Sequence, residues 1–142
     1  MKTSARNQFS GKVSEIIDGA VYAEVIVELA GGEKVVASIT KESVKALSVK
    51  PGSEVITLIK APQIVIVADF GGYKISARNQ LAGTITEVKP GAVNTEIDLD
   101  TAGGQQISAT VTNESASSLG LKKGQTVTAV FKAGAVLLAT KA

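Results

Sequence analysis

The chain has 142 residues, 15 basic and 13 acidic, with no histidine and no cysteine. A net charge of +2 is far from the strongly basic footprint of a protein that grips many phosphates, which disfavours nucleic acid as a partner. The missing residue types remove disulfides, thiolate metal sites, thiol catalysis and the commonest neutral-pH base and metal ligand together. Hydrophobic residues at 44% and charged residues at 20% describe a chain that folds. No apolar run approaches the roughly 20 residues that span a bilayer, and the start MKTSARNQFSGK lacks the apolar core of a signal peptide. A soluble cytoplasmic protein with no membrane partner is expected.

In chain order, the first distinctive stretch is Ser-Ala-Arg-Asn-Gln at 4–8, and it returns at 76–80. Laying residues 4–70 over 76–142 without a gap gives roughly two dozen identities. The offset is constant, 76 − 4 = 72. It pairs Glu15 with Glu87, Gly19-Ala20-Val21 with Gly91-Ala92-Val93, Glu24 with Glu96, and Lys60-Ala61 with Lys132-Ala133. The chain is therefore read as a duplication, with domains at 1–70 and 71–142 and a joint near Asp69-Phe70-Gly71-Gly72.

Within each copy the apolar period is mostly two. Thr95, Ile97 and Leu99 alternate with polar neighbours, the pattern breaks at Gly103-Gly104, and it resumes through Ile107, Ala109 and Val111, which predicts a hairpin. Val21 to Thr40 around Gly31-Gly32 reads the same way. Next, TKESVKALSVKPGSEV and TNESASSLGLKKGQTV each set a Thr before acidic and then basic residues, which predicts a helix of one or two turns. Two further strands follow in each copy, pivoting at Lys60-Ala61-Pro62 and Lys132-Ala133-Gly134. Three strands, a short helix and two strands match the OB-fold. The expected fold is all-β: two tandem OB-fold-like five-stranded Greek-key barrels, each with one short helix. Units of about 70 residues bury little surface alone, so docking of the repeats and further oligomerisation are both expected.

An enzyme would need groups that are absent here. Alternation puts Glu15, Glu24, Glu87 and Glu96 on a solvated face, nothing resembles a nucleophile elbow or a helical Ser-x-x-Lys pair, and the Gly-Gly stretches are hairpin turns rather than phosphate loops. No catalytic residue is assigned. Ser-Ala-Arg-Asn-Gln offers instead a hydroxyl, a guanidinium fork, an amide and backbone N–H groups beside a small Ala. Arg6 and Arg78 are the only arginines in the chain, and a fork-shaped contact is one that Lys cannot reproduce. Two readings of this motif stand: contact with an anion, or an Arg–carboxylate pair across the repeat interface with Asn capping a turn. Lys60 and Lys132 are either cations on the barrel rim or solvated hairpin lysines. Thr40, Ser43, Thr112 and Ser115 are helix caps, ligand donors or both.

The set Ser-Ala-Arg-Asn-Gln, Gly-Ala-Val-x-x-Glu, Gly-Gly, Ala-x-Ile/Val-Thr and Lys-Ala resembles the molybdate-binding Mop domains, and the duplication resembles the two-domain molbindins. The resemblance covers nearly the whole chain twice. It implies a cytoplasmic, non-catalytic protein that binds, stores and buffers molybdate or tungstate, with no organic cofactor and no direct metal-cation ligand. It also implies OB-like barrels in a homotrimer, with oxyanions held between domains and subunits. It carries Ser4, Ala5, Arg6, Asn7, Lys60 and Ala61, with Ser76, Ala77, Arg78, Asn79, Lys132 and Ala133, onto the ligand-binding motif. It extends to Ala20, Val21, Thr40 and Ser43, with Ala92, Val93, Thr112 and Ser115. The family often has Ser after Lys-Ala, where this chain has Pro62 and Gly134, and Tyr22 replaces the Asn kept as Asn94.

Molybdate at neutral pH is a tetrahedral dianion with no proton, so donors alone suit it. Hydrogen phosphate would leave an O–H facing donors, a loss on the order of 1–3 kcal/mol. The alternative function is a molybdate-responsive regulatory or transport accessory that acts through a partner protein. A single-stranded nucleic-acid platform is disfavoured, because aromatic residues are only 4% of the chain and such platforms stack bases on them.

Overall fold

The computed structural model describes residues 1–142. The first half contains β1 (Asn7–Asp18), β2 (Tyr22–Leu29), β3 (Lys34–Thr40), α1 (Lys41–Leu47), β4 (Glu54–Ile59) and β5 (Val65–Val67). The second repeats it as β6 (Asn79–Pro90), β7 (Asn94–Thr101), β8 (Gln106–Thr112), α2 (Asn113–Ser118), β9 (Thr126–Phe131) and β10 (Leu137–Ala139). The expected order of three strands, a helix and two strands is present twice, in two antiparallel five-stranded sheets.

The alternation in sequence becomes one buried face. Ala23, Val25, Val27 and Leu29 point inward along β2, as do Thr95, Ile97, Leu99 and Thr101 along β7. The long first strand of each half pairs on both sides, β1 with β2 and β4, and β6 with β7 and β9. A register shift between Val13 and Glu15, and another between Ile85 and Glu87, bends each of these strands, the kink that curls a sheet toward a barrel.

The last strand of each half departs from expectation. It does not fold back on its predecessor; the sheet orders are β10-β4-β1-β2-β3 and β5-β9-β6-β7-β8. Val65 pairs with Val130 and Leu137 with Leu58, so the halves exchange their final strands. The cause is the connection. Residues Ala61–Gln63 and Ala133–Ala135 form one 3₁₀ turn each, which advances the chain instead of reversing it. Ile64, Ile66 and Val136 are then buried in a single apolar cluster built from both halves. The two hairpin tips also touch. Gly32 and Gly104 take φ of +90° and +87°, and a Cβ on Gly31 would stand 1.9 Å from the Gly103 carbonyl oxygen.

Candidate functional site

Strand register puts the two donor motifs of each half at the same end of one ladder. Asn7 lies opposite Ile59 on β4, so Arg6 and Lys60 each stand one residue beyond the last pair. Asn79 lies opposite Phe131 on β9, which leaves Arg78 and Lys132 in the same position in the second half. Ser4, Ser76, Lys60 and Lys132 are exposed, while Ala61 and Ala133 are buried and anchor their turns. Gln80 Nε2 donates to the Ile75 and Ala77 carbonyls at 3.1 and 3.0 Å, bracing the approach to Arg78.

Both arginines meet carboxylates of the opposite half. Arg6 Nη1 donates to Glu96 Oε1 at 2.5 Å, and Arg78 Nη1 donates to Glu24 at 2.6 and 2.5 Å. The pairing reading of the sequence is therefore realised, and Glu24 and Glu96 are half-buried partners rather than free surface carboxylates. Neither guanidinium is used up. Only Nη1 is engaged, and the Arg side chains remain 54% and 48% exposed, so Nη2 and Nε have no partner within the chain.

The charges around Arg6 are denser than those around Arg78. Lys89 Nζ lies 3.4 Å from Glu96, 3.2 Å from Asp98 and 3.5 Å from Glu87. The hydrogen bond from Arg6 holds the Glu96 carboxyl down to about 2, with burial opposing and Lys89 assisting. The same contact raises Arg6, and hydrogen bonds to Asp98 and Glu96 raise Lys89.

Asn7 and Asn79 are neither turn caps nor free donors. Both are buried to 1% exposure. Asn7 Nδ2 donates to Ile59 O at 3.1 Å and Ser108 O at 2.9 Å, while its Oδ1 accepts from Ser108 N at 2.8 Å. Asn79 makes the matching two-point contact with Val36, at 2.8 and 2.7 Å. Each amide thus imitates a peptide group and staples its own first strand to the third strand of the other half. The donor that the sequence offered to a ligand is consumed here by the backbone.

Thr40 Oγ1 accepts from Ser43 N at 3.0 Å, and Thr112 Oγ1 accepts from Ser115 N at 3.1 Å, so these four residues cap α1 and α2. Only α1 carries the expected basic residue in its last turn, Lys45; α2 ends before Lys122. The Ala20-Val21 and Ala92-Val93 turns lie beside these caps, with Lys41 N donating to Val21 O and Asn113 N to Val93 O. Within one half they stand at the far end of the first strand from the arginine. Across the halves, Arg6 reaches Glu96, which also holds Lys89, just before Gly91-Ala92-Val93. The sequence did not single out Glu24, Glu96 or Lys89 as partners in this ion-pair network, although the two glutamates recur at the same offset as the arginines.

Two barrels with a shared core thus repeat one unit. The TOBE domain family matches residues 3–66 and again 75–138. The chain belongs to the TOBE domain family. This tandem TOBE chain superposes on a crystal structure of the cytoplasmic molybdate-binding protein ModG with molybdate bound, with a TM-score of 0.96 and 45% identity over 99% of this chain and 100% of that one. It is 45% identical over 141 residues to the molybdenum transport protein ModE of Herbaspirillum seropedicae, covering 99% of this chain and 52% of that protein. It is 42% identical over 139 residues to the molybdenum-pterin-binding protein MopA of Rhodobacter capsulatus, covering 98% and 52%. The tandem TOBE chain thus spans about half the length of these curated relatives.

Proposed function

We propose that this chain binds molybdate or tungstate reversibly in the cytoplasm, storing and buffering the oxyanion without catalysing a reaction. The observation that carries the reading is the whole-chain match to molybdate-bound ModG, on a fold in which Arg6 and Lys60, and Arg78 and Lys132, each follow the end of one strand ladder. At each rim the side-chain donors are the guanidinium nitrogens not engaged by glutamate, the lysine ammonium, and Ser4 or Ser76; the Ala5 N–H already donates to Thr3 Oγ1, and Pro62 has no N–H to offer. A tetrahedral dianion without protons suits such a set. The rims lie at the seam between halves and are open to solvent, which fits closure by further copies of the chain in a trimer.

Titration calorimetry with molybdate, tungstate, sulfate and phosphate tests the reading. Heat is expected from the first two and far less from the others; no heat from either metal oxyanion defeats it. A second reading, a ligand-sensing module that works through a partner protein, is favoured by the match of 99% of this chain to 53% of ModE of Escherichia coli, called a DNA-binding transcriptional dual regulator and 38% identical over 141 residues. A partner retained on the immobilised chain only with molybdate present distinguishes it.

A further inference from the structure

The two halves provide an internal control, because their rims share the arginine and glutamate but differ in what stands behind them. Lys89 is directly opposite Glu96 across β6 and β7; at the equivalent place in the first half Ile17 is opposite Glu24 across β1 and β2. Asp98 is likewise replaced by Ile26, while Glu87 corresponds to Glu15. Glu96 therefore lies between two cations, Arg6 at 2.5 Å and Lys89 at 3.4 Å. Glu24 has Arg78 alone, gripped by both carboxylate oxygens, and Ile17 is 44% exposed where a second cation would stand.

We infer that Lys89 is a positioning residue for the Arg6 rim: it is the reserve counter-ion of Glu96 and Asp98, and it frees Arg6 to share its guanidinium with an incoming oxyanion. This rests on the oxyanion-binding reading above. An arriving dianion draws the guanidinium toward itself and weakens its hold on the carboxylate. At the Arg6 rim Glu96 then keeps Lys89, and the charge facing the dianion stays partly neutralised. At the Arg78 rim nothing replaces the arginine, and Glu24 both retains it and repels the ligand. Lys89 touches no part of the donor set itself; it acts through Glu96. The two kinds of rim are thus unequal, and of the exchanges between them, Lys89 for Ile17 is the one that gives Glu96 a second cation.

The test uses the full chain and molybdate itself, with binding followed by calorimetry. Lys89→Ile is expected to weaken one class of sites by about fivefold, the scale of one lost exposed ion pair, and to leave the other class unchanged. Lys89→Arg restores the loss, which a purely structural role for the lysine stem would not distinguish from Lys89→Met. Ile17→Lys is expected to tighten the other class by a similar factor, a gain that damaged folding cannot produce. If the wild-type chain binds molybdate and neither Lys89→Ile nor Ile17→Lys alters any class, the inference is overturned while the binding reading stands. No heat from the wild type overturns both.

Discussion

Arg6 and Asn7 are neighbours in sequence with different employment. The asparagine is a structural staple, and removing it strands a buried peptide group of the other half. Asn79→Ala leaves the Val36 N–H and C=O without partners, and a loss of about 2–4 kcal/mol is expected in urea unfolding. The arginine pair has a pH signature instead. Glu96 is held near 2 in the folded protein, against an ordinary value of 4.5. Its folded value is the lower one, so its contribution is present above about 4.5 and is lost as pH falls toward 2. Solvent exposure of Arg6 limits the contribution to about 1 kcal/mol. Glu96→Gln is expected to remove that part of the acid-side slope in thermal melts from pH 6 to pH 3, and an unchanged slope contradicts the pairing. The motif was legible in the sequence because it recurs at an exact offset, but its partners were not. A guanidinium presents the same fork to a carboxylate and to an oxyanion, and an amide suits a ligand as well as a backbone. Only the docking of the second barrel decides between them.

Among the elements, strand order and the helix caps follow from local patterning, since period two, paired glycines and a Thr before an acidic turn each have one local solution. Strand exchange does not. Val65–Val67 and Leu137–Ala139 show the same apolar pattern whichever sheet receives them, and the 3₁₀ turn that sends them across depends on burial of Ala61 and Ala133 at the interface. The hairpin tips are a second case in which a local motif has a distant cause. Gly31 faces the Gly103 carbonyl, and backbone cannot yield as a side chain does, so Gly31→Ala is expected to destabilise by about 2–3 kcal/mol. Gly103→Ala meets only the flexible Glu33 side chain and is expected to cost less. Equal effects of the two substitutions in denaturant unfolding would contradict the tip-to-tip contact.

The two barrels form one cooperative body, because each holds a strand of the other and their cores are continuous. Residues 1–74 alone lack β10 and expose the edge of β4, so that fragment is expected to be unfolded or self-associated. Mixing it with residues 75–142 restores the sheet signal in circular dichroism if the exchanged strands are the bond between halves; independent folding of either piece rules that out. The same interlock fixes the seam across which Arg6 meets Glu96 and Arg78 meets Glu24. A crystal grown with tungstate locates the ion by its anomalous scattering. The account places tungsten within hydrogen-bonding range of Arg6 and Lys60 and of Arg78 and Lys132, with the guanidinium groups shared between ion and glutamate. Tungsten bound elsewhere, with both arginines still turned wholly to Glu96 and Glu24, would contradict it.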